Sequence, residues 1–403
     1  MPADAFASPR NIRPMTARSM DQAHRAATPL ELLFDLVTVI AIASAAAGLH
    51  HAISAGHTVD GIVRFAMAFF GIWWAWMNYT WFASAYDNDD TPFRLLTMVI
   101  MGGALIMASG IEVLFKSLDL TMVVVGYVVM RMAMVVLWLR AALDDPARRR
   151  TALGYAAGIG TVQVYWTGLL LVGPISPGLL PLLFALGAAL ELSVPALAER
   201  SGQTPWHRRH MIERYGLLTI IVLGETLLAG SLALRAVVGT DTQVALVPIA
   251  LSSLIIVFAM WWLYFSKEEH LGGQSLARSL TWGYSHVLIF ASGAAVGAGF
   301  AVLVDIVTGQ AEATMIVGHY AVAIPVASYL IGLWFVRDRF SFGGPARHVL
   351  LPFAALMVFM PLQSLALEGI AAMLALCVLV RSALARRQAH CINAMPEANG
   401  PGP

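Results

Sequence analysis

Cysteine is almost absent. Cys377, inside an apolar run, and Cys391, near the carboxyl end, are the two in 403 residues, which excludes a disulfide framework and a thiolate metal cluster. Charge is scarce as well: 12% of residues are Asp, Glu, Lys or Arg, against about 25% in a soluble domain. So few charges cannot cover a chain of this length in water. The formal net charge of +1 offers no basic face to nucleic acid, so no nucleic-acid partner is expected. Zinc-protease, nucleophile-elbow and dinucleotide patterns are missing at recognisable spacing, so no cofactor, metal or catalytic residue is expected. His50, His51 and His57 in one loop read as solvated side chains rather than metal ligands. No signal peptide is expected before the first apolar run, which starts at Leu32 after a long polar, Arg-containing stretch.

What the chain has in abundance is apolar surface. Hydrophobic residues make up 59%, with 11 Trp, 18 Phe, 19 Met and 34 Gly, and mean hydropathy is +0.73. An all-α polytopic membrane protein is expected, with the lipid bilayer as its principal partner. A helix needs about 20 apolar residues to cross about 30 Å of hydrocarbon. Twelve such runs are expected near 32–49, 62–82, 95–115, 120–139, 152–172, 178–198, 215–235, 244–265, 280–302, 314–336, 346–362 and 364–380. The last two form one stretch broken by Pro352, Pro361, Gln363, Ser364 and Glu368, and a re-entry at Met360 to Ser364 divides it. With both termini in the cytoplasm of a plasma (inner) membrane protein, every Lys and Arg except Arg64, Lys116, Arg131 and Arg235 falls on the cytoplasmic side. That is the bias of the positive-inside rule.

Landmarks recur at nearly one period. Glu31 opens the first run and Glu213 the seventh; Phe70-Gly-Ile-Trp73-Trp74-Ala-Trp76 lies in the second and Phe258-Ala-Met-Trp261-Trp262-Leu-Tyr264 in the eighth; Arg94-Leu-Leu-Thr97 starts the third and Arg278-Ser-Leu-Thr281 the ninth. Their shared order implies a duplicated six-helix unit, and six being even, a parallel repeat about the membrane normal. The expected organisation is a cytoplasmic tail over 1–29, a first repeat over 30–198, a linker over 199–212, a second repeat over 213–380 and a cytoplasmic tail over 381–403.

The run Thr28-Pro-Leu-Glu31-Leu-Leu-Phe34-Asp35-Leu-Val, the stretch Glu213-Arg214-Tyr215-Gly216-Leu-Leu-Thr219 through Gly224-Glu225, and the two Trp pairs resemble the bacterial low temperature requirement protein A family. The likeness covers about residues 26 to 380. It implies a multi-pass membrane protein and gives weight to 28–37 and 213–225, but brings neither substrate nor reaction. Thr38 stands where that family usually carries an aromatic or apolar residue.

Polar groups that lipid would not tolerate mark the candidate site. Glu225 lies midway through the seventh run and reads either as a proton or cation relay or as a structural partner. Glu31 and Asp35, spaced i,i+4, share a helical face, and Arg214 beside Glu213 is positioned in sequence to offset them. Arg131 in the fourth run is expected to compensate Glu112 or Glu191, with an anion clamp as its other reading. His286 in the ninth run is a candidate proton relay. Trp73, Trp74, Trp261 and Trp262 read first as membrane-interface anchors and second as an aromatic cleft.

Two six-helix halves with minimal loops favour a proton- or cation-coupled secondary transporter of an unknown small solute or ion. The alternatives are a non-transporting membrane protein of low-temperature adaptation or sensing, and, with less support, an intramembrane enzyme. Oligomeric state is not readable from the chain.

Overall fold

The computed structural model describes residues 12–18, 26–173, 175–237, 243–267 and 276–393; the side chains at 229, 230, 232–237, 243–245 and 388–393 fall outside that description. Among the described residues the chain is all helical. Its long helices are α1 (Pro29–Ser54), α2 (Thr58–Tyr86), α3 (Thr91–Ser117), α4 (Thr121–Asp144), α5 (Arg149–Leu171), α6 (Leu180–Ala198), α7 (Arg208–Val237), α8 (Gln243–Phe265), α9 (Leu276–Val307) and α10 (Met315–Leu333). A short helix, Leu350–Phe359, and a last one, Ala366–Asn393, complete the chain.

Nine helices among the described residues are long and apolar enough to cross a membrane, and the protein is a multi-pass membrane protein. Three of the twelve runs expected from the sequence are not among the nine. Helix α5 carries Arg149, Arg150, Thr151 and Gln163, and α7 carries Arg208, Arg209, Glu213, Arg214 and Glu225. Leu350–Phe359 has ten residues, about 15 Å at the standard rise, half the hydrocarbon thickness. The break expected near Met360 is present: a 3-10 turn at Met360–Leu362 separates this helix from the last one.

Cα packing divides the chain into two compact units, one of residues 1–52 and 57–221, the other of 53–56 and 222–403. The boundary falls inside α7, between Ile221 and Val222, rather than in the segment 199–212.

In the first unit α3 and α4 cross where glycines face each other. A Cβ on Gly103 would stand 2.7 Å from the carbonyl oxygen of Gly126, so the backbones touch, as small residues permit in membranes. In the second unit α9 and α10 meet in the same manner, at Gly299 against the Ala321 carbonyl and Gly318 against Leu303. There α7 also closes on α9, the Thr226 hydroxyl donating to the Gly293 carbonyl at 2.9 Å.

The α2–α3 turn is tied down by one carboxylate. Asp90 caps α3 by accepting from the Phe93 N–H at 2.8 Å, receives the Arg13 backbone N–H at 3.0 Å and pairs with Arg140 at the end of α4 at 2.7 Å. The segment 12–18 thereby lies across this end of the unit, with Met15 fully buried and its N–H given to Asp144 at 2.9 Å. Burial works to raise the Asp90 carboxyl, but the hydrogen bonds from Arg140, Arg13 and Phe93 outweigh it and hold the group below its ordinary range. A depressed carboxyl stabilises above its unfolded value and loses that contribution as pH falls through its folded one. Asp90→Asn, which keeps the cap acceptor but loses the charge facing Arg140, therefore lowers stability at pH 7 by about 2 kcal/mol, the scale of a hydrogen bond between charged groups. In detergent melts the gap from wild type narrows as pH drops below about 4; a gap that is constant down to that pH refutes the assignment.

Candidate functional site

The site begins with a helix start. In Thr28-Pro29-Leu30-Glu31 the Glu31 carboxylate accepts the Thr28 N–H at 2.8 Å and the Thr28 hydroxyl accepts the Glu31 N–H at 3.2 Å. This is a reciprocal capping box with Pro at the first helical position. It places Glu31 and, one turn on, Asp35 on a single face of α1, and both are fully buried.

Helix α7 supplies the complement at the same spacing. His210 Nε2 lies 3.1 Å from Glu31 Oε1, and Arg214 Nη2 donates to Asp35 Oδ1 at 2.6 Å. All four side chains are fully buried. Thus an i,i+4 acid pair meets an i,i+4 basic pair along two helices. Glu213, the neighbour of Arg214, points elsewhere and accepts the Ala27 backbone N–H at 3.2 Å.

Helix α2 closes the third side. The Trp76 indole donates to Asp35 Oδ1 at 2.7 Å and stacks edge-on to Tyr215 of α7 at 5.0 Å, whose hydroxyl accepts from Trp81 at 3.1 Å. Phe34 packs on Tyr79 with centroids 4.3 Å apart. Asp35 Oδ1 so receives two donors while Oδ2, also buried, receives none, and Arg214 Nε and Nη1 have no hydrogen-bond partner among the described residues. Thr38 is buried with its hydroxyl turned back to the Phe34 carbonyl at 2.8 Å, which lets a polar residue occupy that position.

A second buried carboxylate lies in the same unit. Glu191 of α6 receives Arg131 of α4 at 2.7 Å, Trp74 of α2 at 2.9 Å, Gln163 of α5 at 3.0 Å and Trp166 at 3.3 Å. Its two oxygens are filled by four donors. Of the two acids expected as partners for Arg131, Glu191 is the one that pairs; Glu112 is exposed and pairs with Lys116 one turn away.

The Trp motif of α2 turns into the first unit. Trp73, Trp74 and Trp76 are buried, and Trp74 and Trp76 donate to the two carboxylates. Trp261 and Trp262 of the matching motif in α8 are 45% and 52% exposed, whereas Tyr264 turns inward, its hydroxyl 3.3 Å from His286 Nε2. His286 is fully buried against Trp282, whose carbonyl lies 2.8 Å from Nδ1. Glu225 is half-buried on α7, beside the Thr226 that bonds to α9. It belongs to the second unit, whereas Glu31, Asp35, His210 and Arg214 belong to the first.

His210 was not singled out from the sequence. The signal was there, since His210-x-x-x-Arg214 repeats the spacing of Glu31-x-x-x-Asp35 with opposite charge.

A family model described as bacterial low temperature requirement A protein (LtrA) matches residues 26–383. Among curated proteins, the chain is similar to uncharacterized protein RA0937 of Rhizobium meliloti (strain 1021), 28% identical over 249 residues. That match covers 59% of this chain and 58% of the relative, so the chain spans under two thirds of the relative's length. No solved structure matches the chain.

Removing one member of a buried, hydrogen-bonded ion pair strands the other, at about 3–5 kcal/mol. Arg131→Met accordingly leaves Glu191 uncompensated and sharply lowers the detergent melting temperature. The double substitution Arg131→Met with Glu191→Leu recovers a substantial part of that loss. Equal melting of the single and double variants contradicts a pairing role.

Proposed function

The chain belongs to the bacterial low temperature requirement A family, and from that membrership in a multi-pass membrane family we propose that it is a proton- or cation-coupled secondary transporter of a small solute. The observation that carries this reading is Asp35. Its carboxylate is buried with one oxygen held by Arg214 and Trp76 and the other open. Ionisable groups inside a membrane helix are costly, and they mark ion and proton pathways when they face a helix interface. A proton or small cation taken up at Oδ2 cancels the charge that holds Arg214. The guanidinium, with Nε and Nη1 uncommitted, is then available to an acceptor on the solute. His210 beside Glu31 adds a second titratable pair one turn away.

Glu225 is the second candidate for coupling. It follows Arg214 by eleven residues in sequence and lies in the second unit. The same reading includes two six-helix parallel repeats, and the glycine-mediated crossings of α3 on α4 and α9 on α10 support it. It also places the protein in the plasma (inner) membrane with both termini cytoplasmic, supported by the distribution of Lys and Arg.

Two measurements test this. In proteoliposomes with trapped pH dye, an imposed solute gradient drawn from a panel of small anions, cations and zwitterions moves protons for wild type. Asp35→Asn, which keeps shape and an acceptor for Trp76 but loses the charge, abolishes that movement at matched amounts of folded protein, and because it strands Arg214 the compensated pair Asp35→Asn with Arg214→Gln, which recovers melting temperature, abolishes it as well. Proton movement that survives Asp35→Asn and vanishes in Glu225→Gln transfers coupling to Glu225; none for wild type across the panel overturns the transporter reading. For orientation, single cysteines replacing Gln203 or Asp119, both exposed, are placed in a background lacking Cys377 and Cys391. In intact cells a membrane-impermeant maleimide labels position 119 and spares 203; the reverse pattern overturns the orientation.

A further inference from the structure

The second unit gathers cations on aromatic rings at one end. Phe340 holds two guanidinium groups, Arg339 at 4.3 Å and Arg278 at 4.7 Å from its centroid, and Arg339 also lies 3.7 Å over Phe335. Phe342 holds Lys267 at 4.2 Å and Arg381 at 4.8 Å. Four cations thus share three rings contributed by one short stretch of chain.

Among the described residues, little acid balances them. Asp338 is committed to Arg381, at 2.7 and 2.9 Å, and to Arg337 at 3.1 Å. Among the described residues no carboxylate pairs with Lys267, Arg278 or Arg339. Glu268 and Glu269, next to Lys267 in sequence, lie outside the described residues. A ring face attracts a cation without neutralising it, and a stacked guanidinium keeps its in-plane N–H donors for oxygen acceptors. Burial and the neighbouring Arg337 and Arg381 push the Lys267 ammonium below its ordinary range, against the pull of Asp338.

The position of the cluster names its counter-ion. It is built from the end of α8, the start of α9, the turn after α10 and the last helix. Each contributing helix is among those long and apolar enough to cross a membrane. Trp261 and Trp262, exposed indoles one to two turns before Lys267, are the residues that favour the headgroup level of a bilayer, and Phe340 itself is 49% exposed. We infer that Arg278, Arg339 and Lys267, carried on Phe340 and Phe342, form a binding site for the phosphate headgroup of an anionic phospholipid. The acyl chains then run along the exposed apolar side of α8, where Phe258 and Ile255 also face outward.

The test uses the full chain in nanodiscs and in detergent. Native mass spectrometry after incubation with equimolar phosphatidylglycerol and phosphatidylcholine retains phosphatidylglycerol preferentially on wild type. Arg278→Gln with Arg339→Gln cuts that preference about thirtyfold, on the scale of two interfacial basic groups, while Arg94→Gln, a basic residue of the other unit, leaves it intact. An unchanged preference in the double variant overturns the site. A parallel measurement on wild type needs no variant: spin-labelled phosphatidylglycerol in nanodiscs is released as salt rises from 20 mM to 500 mM, because screening weakens exposed charge pairs. Salt-independent retention overturns the inference, as does displacement of the lipid by millimolar inorganic phosphate, which would make a soluble anion the occupant.

Discussion

A charge removed from water must find its opposite close by, and in the first unit that requirement decides which helices lie together. Asp35 and Arg214 are 179 residues apart in sequence and 2.6 Å apart in space. Neither is tolerable alone in an apolar interior. Their meeting sets α1 against the amino-terminal part of α7, and the matched i,i+4 spacing of Glu31 and His210 sets the register of the two helices as well. A slip of one residue on either helix would rotate both pairs out of reach by about 100°.

Indole rings do in this unit what backbone or serine donors do elsewhere. Trp74 and Trp76 stand on α2 two residues apart, on different faces, and each gives its N–H to a different buried carboxylate. One helix thereby links the Asp35 cluster to the Glu191 cluster. The two clusters are nevertheless unlike. Glu191 is saturated by four donors and reads as a structural knot. Asp35 is served on one oxygen only, an arrangement with room for chemistry. The contrast rests on donor count, and burial does not distinguish them, since both carboxylates are fully enclosed.

The helical membrane architecture was legible because hydropathy integrates over about twenty residues and averages out local detail. The involvement of Arg214 with Asp35, and of Arg131 with a neighbouring acid, was legible too, since charges in apolar runs have few places to go. What could not be read was direction. Glu112 and Glu191 look alike in sequence, yet one faces outward and pairs with Lys116 while the other is buried. The motifs Phe70-Gly-Ile-Trp73-Trp74 and Phe258-Ala-Met-Trp261-Trp262 match residue for residue at the aromatics, yet one pair is buried and the other exposed. Which face of a uniformly apolar helix turns inward depends on the neighbours it packs against, and a one-dimensional pattern with weak amphipathicity does not encode those. The short helix Leu350–Phe359 illustrates a further limit, since its run of apolar residues is longer than its helix.

At the end of α10 five residues, Trp334–Asp338, wind as a π-helical turn. A π turn accommodates one residue more than the α-helix would, so it acts as a local phase change in an otherwise regular screw. Before it, Tyr329 donates to the Met260 carbonyl at 3.0 Å. After it, the consecutive residues Arg337 and Asp338 are both buried: Arg337 donates to the carbonyls of Leu263 and Tyr264 at the end of α8, and Asp338 receives Arg381. Were these same five residues wound as regular α-helix, every downstream side chain would sit about 100° out of phase. The helix would survive such a straightening intact, but the cap on α8 and the clasp on the last helix would be lost together, so the wide turn behaves as a keyway that fixes the angular setting of the residues after it against those before it.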